Sequence, residues 1–542
     1  MRVISKIVVL VVSLLFVAIE MSYAQNPNQK LAQNVEQLQK LMRVYNNLDR
    51  LYVEDVDMKP VVEEAIRGML SELDPHSSYL TAEEMKAAME ITKGKFGGIG
   101  VAYDTLRDSI VVTNVLPNGP AQKAGLKLND RIVEVDGRAV VGVERSEVPK
   151  LLRGDSGSVV EVGVARRGNP EILRFLITRD NIPVTTVDAA YKVNDKVGYV
   201  RVNRFANSTM EEFRKAMSEM SGVETLILDL SNNGGGLMHQ AIDMADYFLP
   251  KGLLITSTEG RAIPTTEYLS KGNKEFAGRL IVIINESTAS GGELLAGALQ
   301  DWDRAIVIGR SSYGKGLVQR EMPLGDGSAI RLTIARYHTP SGRVIQRPYN
   351  LGHKEDYDKA YIERLRMSAA NADSLMRDSV ERPRFNTLRR GRTIYGGGGI
   401  IPDVRVDVDT TQVNSFAAAV IREGVSAEFL VDYMDKYHQS LVEEYPTFKK
   451  FESDFVLADS DMAKIAELAT AKGIKYSEEE YKGALKLLRT RFTAQIAQLL
   501  FSQSEYYQYV NSRANDSFRV AMRLAENWAE EVEPVIGKND GE

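Results

Sequence analysis

The chain of 542 residues contains no cysteine, only two tryptophans and only five histidines. The absence of cysteine excludes disulfide bridges and a catalytic thiol, so the fold has to be stabilised by ordinary apolar cores. The histidines lack the spacing of a metal site, such as two histidines four residues apart beside a glutamate, and we predict no metal and no other cofactor. The net charge is −6, and this mildly acidic balance argues against nucleic acid as a partner.

Residues 1–24 have the features of a secretory signal. Arg2 and Lys6 precede a mostly apolar run of 13 residues, 7–19, and residues 22–24 fit the small-x-small rule for a cleavage site. The run is shorter than the roughly 20 residues that a membrane-spanning helix needs, and an uncleaved N-terminal anchor is the alternative. In either case we expect the rest of the chain to be exported, with a periplasmic location at or near the cell envelope.

The spacing of apolar residues predicts a succession of structurally different parts. Helical spacing predicts an N-terminal helical segment over residues 25–94, and short apolar runs between turns predict a β-rich module over residues 95–182. Apolar strands that alternate with helices predict an α/β core over residues 183–410. Within this core, residues 346–392 are an excursion rich in charge. Helical spacing returns over residues 411–542.

Ser290 is a candidate nucleophile. It stands in Ala289-Ser-Gly-Gly292, after an apolar run and at the predicted start of a helix. Small neighbours leave room for a peptide, and the N–H groups at a helix start favour a developing negative charge. The alternative is a serine that only caps the helix, and Ser287 and Thr288 are rival hydroxyls.

Lys315 is a candidate general base for this serine. A serine hydroxyl is a poor nucleophile until a base takes its proton, and a desolvated lysine can be that base because burial disfavours the ammonium form. Gly314 and Gly316 flank the lysine and permit a tight turn. Gln319, four residues further on, could hold the amine. The alternative is an ordinary solvated loop lysine.

A glycine-rich turn over residues 232–236 follows another apolar strand and could expose backbone N–H groups to an anion. Together with the N–H of Gly291, this turn could form an oxyanion hole; the alternative is a turn that only needs positive φ. His239 could be a base of the serine–histidine kind, but no aspartate partner is evident. His76 could be a ligand or a base, and we favour a turn histidine satisfied by the backbone.

Taken together, these motifs resemble the C-terminal processing peptidases, also called tail-specific proteases. The resemblance extends over residues 40–405. The separation of 25 residues between Ser290 and Lys315 equals the spacing in that family. Four segments carry the resemblance: Glu63–Leu80, Phe96–Gly100, Ser290–Asp301 and Tyr313–Gly316.

The resemblance implies an α/β fold with a ClpP/crotonase-like peptidase core, an inserted β-rich PDZ domain, an N-terminal helical segment and an all-helical C-terminal extension. It implies a serine endopeptidase that recognises the apolar C-terminal tails of proteins and forms an acyl-enzyme. The residues implied are Ser290, Lys315 and Gln319 in catalysis, the amides of Gly291 and Gly235 at the oxyanion, and Gly97, Gly98, Ile99 and Gly100 around the substrate carboxylate.

Two departures from the family pattern keep alternatives open. The family usually has an arginine where this chain has Ser231, and it often has Ala-Ser where this chain has Gly291-Gly292. A backbone N–H donor survives the Gly291-Gly292 change, so we expect activity to persist there. Only the Ser231 departure supports a second hypothesis, a PDZ-type scaffold with an inactive core. A third treats residues 412–535, which lie outside the resemblance, as a docking module for an adaptor protein or for self-association.

Overall fold

A computed structural model describes most of the chain, and the predicted signal over residues 1–24 lies outside the described part. The protein divides into two units, residues 1–70 and residues 71–542. None of the described helices has both the length and the apolar content needed to cross a membrane. The described residues are 27–106, 108–273, 275–370, 382–407 and 414–537.

The described part of the first unit contains helix α1 (Pro27–Leu51) and helix α2 (Met58–Ser71), and α2 ends at the unit boundary. The predicted N-terminal helical segment, residues 25–94, is therefore not one structural part. Its last third belongs to the second unit because Ser78–Leu80 forms strand β1, which pairs antiparallel with a strand of the peptidase region. A single sequence could not show this pairing, since the two strands are about 250 residues apart.

The β-rich module forms a six-stranded sheet with its own core, in the order β3-β4-β5-β7-β8 with β6 beside β5, and β2 pairs separately with β9. The elements up to the end of this module are α3 (Ala82–Lys93), β2 (Lys95–Gly98), β3 (Val101–Leu106), β4 (Ser109–Val115), α4 (Pro120–Ala124), β5 (Arg131–Val135), β6 (Arg138–Ala139), α5 (Val148–Leu152), β7 (Val159–Ala165), β8 (Leu173–Thr178) and β9 (Asp180–Pro183).

The α/β core contains a second six-stranded sheet, in the order β10-β11-β12-β15-β16-β21. All of its neighbouring strands are parallel except β10 and β11. The elements are β10 (Val187–Lys192), β11 (Val197–Val202), α6 (Thr209–Glu219), β12 (Thr225–Asp229), α7 (Met238–Phe248), β13 (Leu254–Gly260), β14 (Ile263–Leu269), β15 (Arg279–Ile284), α8 (Gly291–Asp301) and β16 (Ile306–Gly309).

A third sheet, β1-β18-β13-β14 with β17 paired to β18, supports the segment that follows Lys315. Here β17 (Leu317–Pro323) and β18 (Ala329–His338) form an antiparallel hairpin. The charged excursion contains a helix, α9, and then a small hairpin. The remaining elements of this region are α9 (Lys354–Ala370), β19 (Arg384–Asn386), β20 (Thr393–Tyr395) and β21 (Val404–Arg405).

The C-terminal region is helical, as predicted. Its elements are α10 (Ser415–Arg422), α11 (Val425–Glu444), α12 (Phe448–Asp454), α13 (Asp459–Ala471), α14 (Glu478–Leu500), α15 (Gln503–Ala514), α16 (Asp516–Glu526), a π-helical turn (Trp528–Val532) and α17 (Glu533–Ile536). The first helices of this region form a core of their own.

The last helices of the chain complete the α/β core. Parallel strands need cover on both faces, and alternate residues of the central sheet accordingly point into two different cores. Val200 and Leu228 face helices α6, α7 and α8, whereas Tyr199 and Ile227 face α16 and the π-helical turn, with Trp528 buried among them. The end of the C-terminal region is thus part of the core and not only an appended module.

Candidate active site

Ser290 lies in the turn between β15 and α8, where the central sheet meets its covering helices. Its backbone φ is 53°. Residues other than glycine seldom adopt a positive φ outside constrained sites. The turn is packed tightly against the glycine-rich loop: a Cβ added to Gly235 would come within 2.7 Å of the Ser290 Cβ atom. The chain thus holds the serine in a strained position against the backbone of Gly235.

Glu293 joins the serine turn to the lysine loop. Its carboxylate accepts hydrogen bonds from the backbone N–H groups of Ser290 (2.9 Å), Gly314 (2.7 Å) and Lys315 (2.8 Å), and from the hydroxyl of Ser312 (2.5 Å). The side chain is fully buried. Burial raises the pKa of Glu293, and the four hydrogen bonds oppose that rise.

The Lys315 amine is held in place within a mostly buried site. Its Nζ atom donates to Oε1 of Gln319 at 2.8 Å, and Nε2 of Gln319 donates to the backbone carbonyl of His76 at 2.7 Å. Burial, and then the positive charge of Arg331, lower the pKa of Lys315. Both effects favour the neutral amine, which is the form that can accept a proton.

Tyr337 links the serine turn and the lysine loop a second time. Its hydroxyl lies 2.9 Å from the carbonyl oxygen of Ser290 and 2.6 Å from that of Lys315. A hydroxyl has one proton, so it can donate fully to only one of these carbonyls at a time. Sequence reasoning missed both Tyr337 and Glu293, although Glu293 stood inside the serine motif.

Ser290 and Lys315 line one cavity of about 510 Å³. Leu237, Met238, Leu294 and Leu317 give this cavity apolar surface, and residues 317–321 of β17 run along it. The cavity is polar around the candidate dyad and apolar beside it, which suits a peptide with an apolar side chain next to the reacting carbonyl. His239 is not among the residues that line it.

The oxyanion prediction needs a correction at Gly235. The Gly235 N–H donates to Oδ1 of Asn233 at 2.8 Å, so it is occupied in this conformation. Gly236 is the better candidate. The Gly235 carbonyl accepts from the Phe205 N–H, and the Leu237 N–H donates to the Phe205 carbonyl. Because the C=O and N–H of a trans peptide point in opposite directions, the Gly236 N–H points away from Phe205. Gly236 and Gly291 both line the cavity.

The predicted carboxylate loop of the β-rich module also needs a correction. Gly97 and Gly98 belong to β2 and pair with β9. The Gly97 carbonyl accepts from Gly154, and a Cβ added to Gly97 would lie 2.0 Å from the Gly154 carbonyl oxygen, so close packing explains this glycine. Ile99 and Gly100 lie between β2 and β3, and these two remain candidates.

An arginine from a different strand contacts residue 231, the position where the family usually has an arginine. Arg201 of β11 donates to the Ser231 carbonyl at 2.6 Å and to the Asp229 carboxylate at 2.7 Å. The Arg201 side chain is buried. A guanidinium group therefore stabilises this segment although residue 231 is a serine.

Comparison with family models assigns most of the regions described above. Residues 196–358 match the model of peptidase family S41, residues 97–175 that of the PDZ domain, residues 13–84 the N-terminal domain of the activating protease CtpB, and residues 416–502 a family of unknown function, DUF8443.

Similar proteins bear related descriptions. A carboxy-terminal-processing protease of Bartonella bacilliformis is 36% identical over 57% of this chain and 73% of its own length. A probable CtpA-like serine protease of Staphylococcus aureus is 31% identical over 75% of this chain and 82% of its own. Among solved structures, a photosystem II D1 C-terminal processing protease is 28% identical and aligns over 68% of this chain and 93% of its own, with a TM-score of 0.35.

The fold and the matched regions define a serine-type peptidase that carries a PDZ domain. More specifically, the chain belongs to the family of C-terminal processing peptidases, peptidase family S41. This confirms the predicted fold class and the predicted enzyme class.

Proposed function

We propose that the protein is an exported endopeptidase that cleaves protein substrates with a Ser290–Lys315 dyad. The observation that carries this proposal is the shared cavity: the serine and a mostly buried lysine both line it, and Glu293 binds the backbone of both residues. The lysine amine is held by Gln319. No second function has comparable support.

In the proposed reaction, the neutral Lys315 amine accepts the proton of the Ser290 hydroxyl as Oγ attacks the substrate carbonyl carbon. The N–H groups of Gly291 and Gly236 stabilise the oxyanion that forms. The lysine then gives its proton to the leaving amine, and the peptide C–N bond breaks to leave an ester on Ser290. Water, deprotonated by the lysine, hydrolyses this ester and releases the acid product.

For substrate selection, we propose that the PDZ domain binds an apolar C-terminal tail. Strand β3 stands at the end of its sheet and, among the described strands, pairs only with β4. A peptide can therefore add to its open edge as a further strand. The turn at Ile99 and Gly100 lies at the start of this strand, where N–H groups could receive the terminal carboxylate.

The signal-like residues 1–24 support export, and the periplasmic location stays a prediction. Docking of an adaptor, or self-association through the C-terminal helices, also stays a prediction. Deleting the whole C-terminal region would be a poor test, because α16 and Trp528 cover the central sheet. A surface substitution on α13 or α14 would leave that cover in place.

The experiment follows cleavage of an unfolded protein with an apolar C-terminus by the wild type, Ser290→Ala and Lys315→Met. Ser287→Ala removes a rival hydroxyl in the same turn and is the matched control. We expect cleavage by the wild type and by Ser287→Ala only. Equal cleavage by Ser290→Ala would refute the dyad, and binding of the tail without cleavage by the wild type would support the scaffold hypothesis instead.

A further inference from the structure

The segment from Leu73 to Thr81 is a motif that the proposed reaction does not use. Its His76 carbonyl nevertheless accepts a hydrogen bond from Gln319, the residue that holds the Lys315 amine. We propose that Asp74 in this loop is a positioning residue for the catalytic lysine, and that it acts through the His76 carbonyl and the side chain of Gln319. The proposal rests on the Ser–Lys reaction above and deepens it.

Asp74 shapes the loop with four hydrogen bonds. Its Oδ1 atom accepts from the backbone N–H groups of His76 (3.0 Å) and Ser77 (3.1 Å) and from the Thr333 hydroxyl (2.9 Å). Its Oδ2 atom accepts from the Ser77 hydroxyl at 2.5 Å. Asp74 is only 8% exposed, so one buried carboxylate fixes the turn and anchors it to β18.

The turn presents the His76 carbonyl to Gln319, and this contact decides which way the Gln319 amide faces. A carbonyl can only accept, so the NH₂ group of Gln319 points to His76. The amide oxygen is then the atom left for Lys315, and it accepts from the amine at 2.8 Å. The opposite orientation would set an NH₂ group against the lysine and would no longer restrain it when it is protonated.

The charge of Asp74 does not explain its presence. Burial opposes ionisation, but hydrogen bonds from Ser77, Thr333 and the loop backbone lower the pKa of Asp74 overall. The resulting negative charge raises the pKa of Lys315, which works against a neutral base. The contribution to catalysis is therefore geometric.

The His76 imidazole does not offer a better role for this motif. Burial, and then the charge of Lys315, lower the pKa of His76 to about 4. The ring lies edge-on to Tyr357 and Tyr313, and its Nε2 atom lies 3.3 Å from the Tyr357 hydroxyl. The histidine contributes its backbone carbonyl to the site, while its ring contacts the Tyr357 hydroxyl instead of the backbone expected from the sequence.

A double-mutant cycle tests the proposal, with kcat and KM measured for Asp74→Ala, Gln319→Ala and the double variant. If Asp74 acts through Gln319, each single variant loses about 100-fold in kcat, the scale of a misplaced catalytic group, with little change in KM. The double variant then loses no more than either single variant. Independent, multiplying losses would overturn the proposal.

Conservative variants separate geometry from charge and from folding. Asp74→Asn keeps the three bonds to Oδ1, and the Ser77 hydroxyl can accept from its NH₂ group, so we expect kcat within about threefold of the wild type. A loss as large as that of Asp74→Ala would refute the geometric role. If Asp74→Ala does not fold, Thr333→Val takes its place, because it removes one hydrogen bond to Asp74. Thr333→Val must then lower kcat when Gln319 is present and must not lower it further in the Gln319→Ala variant.

Two further variants complete the test. Asp326→Ala removes a comparable aspartate turn, at the far end of the β17–β18 hairpin, where Asp326 accepts from Ser328; its kcat should stay unchanged. Lys315→Met separates the two proposals. An active Lys315→Met would refute the Ser–Lys reaction itself, whereas an inactive one with an additive Asp74–Gln319 cycle would refute only the role of Asp74.

Discussion

Replacing Glu293 with glutamine tests the link between the serine turn and the lysine loop. Oε2 receives two backbone N–H groups, from Ser290 and Lys315, and Oε1 receives one from Gly314. Whichever oxygen becomes NH₂, at least one buried N–H loses its acceptor. An unsatisfied buried donor costs about 1–3 kcal/mol, and the remaining bonds lose their charge assistance. We therefore expect Glu293→Gln to lower the free energy of unfolding by about 3 kcal/mol.

The assay combines denaturant unfolding with cleavage kinetics under conditions where the variant stays folded. Because both catalytic segments lose a common anchor, kcat should also fall by about 100-fold. Glu286→Gln is the matched control, since Glu286 lies in the same turn but pairs with Arg310 near the surface. Wild-type stability together with wild-type kcat in Glu293→Gln would refute the role assigned to this carboxylate.

Three further predictions follow from the site and the core. Because Arg331 lowers the pKa of Lys315, Arg331→Met should move the rising limb of the pH profile of kcat/KM to higher pH, and Arg320→Met should not. The pKa of His76 is about 4 in the folded protein and 6.5 for an ordinary histidine, so between these values the unfolded chain binds a proton that the folded protein does not. The free energy of unfolding should therefore fall as the pH drops from 6.5 to 4, and it should fall less in His76→Phe. Trp528→Ala should cost about 3–5 kcal/mol in chemical unfolding; no loss would show that the C-terminal helices are dispensable.

The fold class could be predicted from the sequence because apolar periodicity and motif spacing are local signals. Buried parallel strands appear as continuous apolar runs, and Ser290 and Lys315 each stand in a recognisable turn. The boundary between the two units lies at residue 70 and not at the predicted residue 94. It could not be predicted, because β1 joins the α/β region through a partner strand far along the chain.

The contacts that position Ser290 and Lys315 could not be predicted from the sequence either. Glu293 has the sequence position of an ordinary first-turn acid of a helix, and nothing local shows that it binds the loop of Gly314 and Lys315. The hydroxyl of Tyr337 reaches a carbonyl 47 residues away, and the amide of Gln319 reaches one 243 residues away. The Gly235 amide could be excluded only once its bond to Asn233 was visible.

The roles of Ser290 as nucleophile and Lys315 as its base are tested most directly by covalent labelling with a fluorophosphonate. Peptide mass spectrometry gives the site of labelling and its pH dependence. We expect a single adduct on Ser290, formed at a rate that rises with pH in one transition below the usual lysine pKa of 10.5. In Lys315→Met this labelling should be abolished. An adduct on another residue, or an unchanged rate in Lys315→Met, would contradict these roles.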